Sequence, residues 1–345
     1  MGELGVDLDR LSQWMDEEGL GSGPLVDVTP LSGGSQNILV RFSRAGRDYV
    51  LRRPPANVRA NSNETMRREA RLLGAIASST LPHPRLIAAC PDEGVIGAAF
   101  YLMEPIEGFN PQNGIPPTHH DAEVQHRMGL ALVEGLAMLH ALDPDTVGLS
   151  DFGKTEGFLE RQVARWAGQL EGYSALDGWP GPGELGDVAS VAQWLESKRP
   201  IQFVPGIIHG DFHLANVMYR SDTPELAAII DWELATIGDP LIDLGWVLAT
   251  WPQEPDGGML SIEPWNGFPT SAELVSHYAI HATRSVRQID WYGVFGCYKL
   301  GILLEGTYAR ACSGKAPKDV GDRLHRRAVW LFERARRWMT EGVLV

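Results

Sequence analysis

Two short segments hold the side chains best suited to chemistry. His209-Gly210-Asp211-Phe212-His213-Leu214-Ala215-Asn216 places a carboxylate and an amide five residues apart, and Ile229-Ile230-Asp231-Trp232-Glu233 supplies a second carboxylate. Between them, 217–220 and 226–230 read as strands flanking Ser221-Asp222-Thr223-Pro224-Glu225, a hairpin that returns Asp231 to the side of Asn216. Asp and Asn oxygens are hard ligands that suit Mg²⁺, a cation that borrows its remaining ligands from phosphates and water. Asn216 and Asp231 are therefore candidate metal ligands, and Asp211 is placed to orient a hydroxyl nucleophile.

A second group lies nearer the N-terminus. Ser32-Gly33-Gly34-Ser35-Gln36-Asn37 sits between two strand-like segments. Glycine lets the backbone approach a phosphate closely and donate N–H groups to it, so Gly33, Gly34 and Ser35 are candidate nucleotide contacts. Val50 and Arg52 share one face of their strand by the two-residue period, and Arg53 points the other way. Glu69 falls on the apolar stripe of Met66, Leu73 and Ile76, where a buried acid wants a cationic partner; Arg52 is the candidate. No lysine precedes Lys154, so a phosphate anchor in this part of the chain must be arginine.

HGDFHLAN followed by IIDWE resembles the catalytic loop and metal-binding segment of the aminoglycoside phosphotransferase and choline kinase-like families, distant relatives of protein kinases. The likeness is sharp over 208–233 and fair over 30–108. Val50-Leu51-Arg52-Arg53-Pro54-Pro55 and the stretch from Tyr298 to Arg310 look like the branch related to the kinase-like domain of an acyl-CoA dehydrogenase. The resemblance implies an ATP-dependent phosphotransferase that uses Mg²⁺ to move the γ-phosphate to a hydroxyl of a small molecule, aminoglycoside-like or another hydroxylated metabolite. It puts Asp211 in the catalytic-base position, Asn216 in the first metal position and Asp231 in the place of the protein-kinase DFG aspartate. Arg52 and Glu69 mirror the protein-kinase Lys–Glu pair. Met103-Glu104-Pro105-Ile106 becomes the hinge whose backbone reads adenine, with Met103, Glu104 and Ile106 as nucleotide contacts. His213, where protein kinases usually carry Lys, either touches the transferring phosphate or braces the loop. His209 packs beneath the loop, and Asp243 matches a buried acid that braces it. Asp151-Phe152-Gly153 also spells DFG, but it precedes the catalytic loop and reads as a surface turn.

The elements that must position these groups follow from periodicity and punctuation. Apolar spacing predicts helices over 7–20, 62–78 and 121–141, the last capped by Asp121, with further helices near 155–171 and 185–198; a turn-rich, strand-like stretch runs from 206 to 233, and mostly helices follow to 340. Ile38–Phe42 and Asp48–Arg52 read as a hairpin around the five-residue loop 43–47, and 85–90 and 98–103 as two more strands. The order is an α+β, bilobed protein-kinase-like fold. Residues 1–104 form a small β-rich lobe with one helix, 105–108 the hinge, and 109–345 a larger helical lobe.

Composition narrows the functional classes. The 345 residues carry 30 basic and 44 acidic side chains, a net charge of −14, which excludes a phosphate-coating nucleic-acid binder. Three cysteines without metal spacing fit a reducing compartment. The acidic N-terminus lacks signal-peptide character, and no apolar run approaches a membrane span. The sequence therefore predicts a soluble, cytoplasmic enzyme acting on a small molecule, with no membrane or nucleic-acid partner. A catalytically idle nucleotide-binding module is the alternative, suggested by the missing lysine and opposed by the presence of Asp211, Asn216 and Asp231 together. A protein kinase is disfavoured because no activation segment separates Asp231 from Asp243.

Overall fold

Alternating apolar residues over 38–53 build the centre of an antiparallel sheet. In this computed structural model, which describes residues 5–31, 37–55, 61–252 and 262–344, β2 (Ile38–Arg44) and β3 (Arg47–Arg53) pair throughout, from Ile38 opposite Arg53 to Arg44 opposite Arg47. The expected five-residue loop is a two-residue turn instead. Ala45 and Gly46 both take positive φ, 50° and 76°, the twist that a tight hairpin needs, so at the turn β2 gains Ser43 and Arg44 and β3 gains Arg47. The strands β1 (Val26–Pro30), β4 (Leu86–Cys90) and β5 (Phe100–Met103) complete the order β1-β2-β3-β5-β4. One core cluster joins Val40, Phe42, Tyr49, Leu51, Phe100 and Leu102 of the sheet to Leu11, Trp14 and Met15 of α1 (Leu8–Glu17). Helix α2 (Ser62–Ala75) buries Met66, Glu69, Leu72 and Leu73.

The chain divides into two units, Met1–Gly108 with Ala227–Glu233, and Phe109–Leu226 with Leu234–Val345. Residues 227–233, which by sequence order follow the Asp211 loop, thus group with the first unit. They include most of β8 (Leu226–Ile229) and Asp231.

The second unit is largely helical. Its helices are α3 (Ala122–His140), α4 (Gln162–Gly172), α5 (Val188–Lys198), α6 (Leu241–Thr250), α7 (Ser271–His281), α8 (Ile289–Cys312) and α9 (Lys318–Glu341). Asp121 caps α3 by accepting from the Glu123 and Val124 N–H groups. Every residue of α6 is buried. Helices α6 and α8 cross with backbones in close approach, because a side chain on Gly296 would strike the Gly245 carbonyl and one on Gly245 the Tyr292 carbonyl. Residues 151–153 do form a turn, with Asp151 exposed at the surface. Phe152 is buried, and a side chain on Gly153 would run into the Ile237 backbone. Among the described residues no helix is long and apolar enough to cross a membrane.

Candidate active site

The loop that carries Asp211 is suspended from a buried acid. Strand β6 (Gly206–Ile208) pairs antiparallel with β9 (Thr236–Gly238), and the chain leaves β6 through Gly210. That residue has φ +90°, and a Cβ on it would lie 2.5 Å from the Leu234 carbonyl, so glycine is required there. Asp243, in the first turn of α6 and fully buried, accepts from the His209 N–H at 2.6 Å and the Gly210 N–H at 2.9 Å. His140 places Nε2 3.6 Å from Asp243 and Nδ1 2.8 Å from the Tyr278 hydroxyl. His209 itself is buried, with Nδ1 3.3 Å from the Asp211 N–H. Asn110 steadies the far end of the loop by donating to the Ala215 carbonyl at 2.7 Å.

Asp211 is held from several sides. Trp246 Nε1 donates to Oδ1 at 2.9 Å, Asn216 Nδ2 donates to Oδ2 at 3.0 Å, and His213 Nε2 lies 3.3 Å from Oδ1. The His213 Nδ1 accepts from the Ala215 N–H at 3.1 Å, which leaves the ring proton on Nε2, facing the carboxylate. Of the two readings of His213, the geometry is that of a brace. Burial alone would raise the Asp211 carboxyl, but His213, His209 and Lys299 outweigh it and hold the group far below the usual carboxylate range. Asn216 also donates to the Asp211 carbonyl at 2.8 Å. Its amide nitrogen is thus turned inward, and its oxygen is the atom left to meet a cation.

Two residues here escaped the sequence reading. Trp246 lies one helical turn beyond Asp243. Lys299 donates to the Gly210 carbonyl at 3.1 Å and sits 4.1 Å over the Trp246 ring. The Gly245–Gly296 approach brings their helices together. The available signal was the lysine itself, an ammonium inside the nearly continuous apolar run 289–304, where an unpaired charge is costly.

In the first unit the predicted pair is present and has a third member. Arg52 Nη2 lies 3.0 Å from Glu69 Oε1 and 2.7 Å from Asp231 Oδ1, while the Tyr101 hydroxyl donates to Glu69 Oε2 at 3.2 Å. Carboxylate oxygens of Glu69, Asp231 and Glu233 all lie within 4.8 Å of one another. Burial opposes the Arg52 charge, yet Glu69, Tyr101 and Asp231 raise its pKa overall. Burial pushes the Glu69 carboxyl up to about 7 against the pull of Arg52. Asp231 adopts φ +66°, a left-handed conformation that short polar side chains tolerate best.

The other nucleotide-contact expectations fare unevenly. Gly33, Gly34 and Ser35 lie outside the described residues. Met103 is buried at the end of β5, opposite Val50 and Leu86. The Glu104 N–H is taken by the Arg85 carbonyl at 2.9 Å and its carboxylate by Arg47 at 3.1 Å, so of its backbone only the carbonyl is left for a base. Ile106 is half-buried. Arg53 does point away from Arg52, as the strand period requires, but it is buried and bonds the carbonyls of Pro54, Gly5 and Ile96.

One unit is a five-stranded sheet with a buried Arg–Glu pair, the other a helical unit with a suspended Asp–Asn loop, and the two together are the parts of a kinase-like fold. The chain belongs to the phosphotransferase enzyme family, whose profile matches residues 27–262. It is similar to acyl-CoA dehydrogenase family member 10 from Mus musculus, at 27% identity over 86% of this chain, but spans only 27% of that protein's length. A solved Ralstonia eutropha JMP134 protein described as an aminoglycoside phosphotransferase superposes with a TM-score of 0.79 at 27% identity, covering 96% of this chain and 99% of the other. The aminoglycoside phosphotransferase APH(4)-Ia, solved with AMP-PNP and hygromycin B, shares the fold at TM-score 0.61 and 17% identity, over 96% and 99% of the two chains. The chain is thus a phosphotransferase-family member of kinase-like fold.

Proposed function

We propose that the chain is an ATP-dependent kinase that transfers the γ-phosphate to a hydroxyl of a small molecule. The observation that carries this reading is the setting of Asp211: a carboxylate kept ionised, immobilised by Trp246, His213 and Asn216, on a loop fixed by Asp243. A group held so far below the usual range is a weak base that stays ionised, and so accepts hydrogen bonds as an anion. Its role is to hold the acceptor hydroxyl in line, with proton transfer late in a loose transition state. Asn216 Oδ1 and the Asp231 carboxylate are the oxygens that would hold Mg²⁺, which when bound neutralises charge on the phosphates. Arg52 would anchor phosphate or hold Asp231 in place, doing with a planar fork what an ammonium does elsewhere. Glu104 and Ile106 would read the base through the backbone, and Gly33, Gly34 and Ser35 would cover the phosphates.

Lys299 bears on the acceptor. A net charge of −14 suits a polycation such as an aminoglycoside, whereas Lys299, whose pKa burial lowers, sets a single amine beside Gly210 against the Asp243 and Asp211 carboxylates. The acceptor class is therefore a small hydroxylated molecule, aminoglycoside-like or another metabolite. The test is a phosphate-release and mass-shift screen across aminoglycosides, choline-like amines and hydroxy-acyl compounds, run with wild type and Asp211→Ala. Asp211→Ala is expected to lower turnover by roughly 10²–10⁴-fold while leaving nucleotide binding nearly intact. Nucleotide binding without turnover on any acceptor would leave the chain an idle nucleotide-binding module. Near-wild-type turnover in the variant would remove Asp211 from the reaction.

A further inference from the structure

We propose that Glu134, His277 and His281 form a binding site for a borderline divalent transition-metal ion of the Zn²⁺ class, independent of the phosphotransfer site. His277 and His281 stand four residues apart on α7, the spacing that stacks two imidazoles on one helical face. Their ring centroids are 4.7 Å apart. Both Nε2 atoms converge on one oxygen, Glu134 Oε1 of the neighbouring α3, at 2.6 and 4.0 Å. One ligand atom from each residue falls within 4.8 Å of the others, so small side-chain rotations bring all three to the roughly 2.0–2.2 Å that Zn²⁺ needs. Two nitrogens and one carboxylate oxygen suit a borderline ion and not Mg²⁺, which prefers oxygen alone. His277 is mostly buried and His281 is 45% exposed, so the set is open on one side and leaves room for a water as fourth ligand. Arg127, 3.9 Å from Glu134 Oε1, is half-exposed and can swing into solvent.

The consequence is a staple between α7 and α3. Tyr278, next to His277, bonds His140 of α3, and His140 faces the Asp243 carboxylate that suspends the catalytic loop. A bound ion would stiffen the packing behind that loop without touching the reacting groups.

Metal-free protein without nucleotide is titrated with ZnCl₂ by calorimetry, and its thermal midpoint is read in parallel. One equivalent of Zn²⁺ is expected to bind and raise the midpoint, and excess Mg²⁺ should not displace it. His281→Ala, at an exposed position, should fold normally and weaken binding by roughly 100-fold or more, since even outer-shell partners are worth 10–100-fold. Cys312→Ser should bind like wild type. Absence of stoichiometric binding overturns the proposal, as does a His281→Ala variant that binds as tightly as wild type. Loss of binding in Cys312→Ser would move the site to the thiol and overturn it equally.

Discussion

Arg52→Ala probes the buried charge cluster of the first unit through its pH dependence. Glu69 is 2% exposed, and its carboxyl sits at about 7 in the folded protein against an ordinary value near 4.5. A carboxyl raised on folding binds its proton more tightly in the native state. Native stability from this group is therefore greatest at low pH, falls as pH rises from about 4.5 to about 7, and is level above that. Without Arg52 the main force lowering the Glu69 pKa disappears, and burial together with Asp231 pushes it higher still. The variant should then go on losing stability above pH 7, by about 1.4 kcal/mol per pH unit, where wild type is level with respect to this group. To this is added a loss of about 2–3 kcal/mol for the charge-assisted bonds to Glu69 and Asp231 at any pH. Urea midpoints at pH 6, 7, 8 and 9 measure both parts. Between pH 7 and 9 the gap between variant and wild type should widen by about 2–3 kcal/mol, following that slope. In Arg52→Ala/Glu69→Gln the extra slope should vanish, because no carboxyl remains to ionise. Parallel profiles for Arg52→Ala and wild type above pH 7, or a slope that survives in the double variant, would refute the reasoning.

Arg53→Ala should lose a similar roughly 2–4 kcal/mol, because three backbone carbonyls lose a buried cationic donor, but with no added pH slope and little effect on nucleotide affinity; urea midpoints and nucleotide titration separate it from Arg52→Ala. Asn216→Ala and Asp231→Ala should both weaken Mg²⁺-dependent nucleotide binding, Asp231→Ala more because it removes a charge and also a partner of Arg52; unchanged metal dependence in both would discard them as ligands. Lys299→Met should lower kcat by roughly 10-fold, as expected where a positioned charge beside the reacting group is lost, with nucleotide affinity unchanged, and Lys299→Arg should restore only part of it. Equal kcat in wild type and Lys299→Met would show that the ammonium merely fills the space above Trp246.

Much of the site was legible in the residues alone, for an identifiable reason. Asp211 and Asn216 lie five residues apart on one loop, and Arg52 and Glu69 are each placed by a local period, two in a strand and 3.6 in a helix. Local geometry of that kind survives without knowledge of distant neighbours. The hairpin at 38–53 was legible for the same reason. Its turn was not, because whether Ala45 enters the left-handed region depends on the register of the whole strand pair. Arg53 shows the limit of a periodic argument: alternation gave its direction, but only packing decided that this direction leads to three buried carbonyls.

What the tertiary structure alone decided is which remote groups surround each carboxylate. Trp246 and Lys299 lie 35 and 88 residues beyond Asp211, and no spacing rule links them. They meet the loop because two glycines let α6 and α8 approach closely enough to stack an ammonium on an indole. Residues 227–233 group with the first unit although the Asp211 loop before them belongs to the second, and so Asp231 reaches Arg52 from 179 residues away. Likewise the i, i+4 histidines of α7 are visible in the sequence, but the carboxylate opposite them comes from α3 and is supplied by helix packing. Residue types and short spacings specify what chemistry is available. The charge state, orientation and partners of each group depend on burial and on contacts between distant segments, and those exist only once the chain has folded.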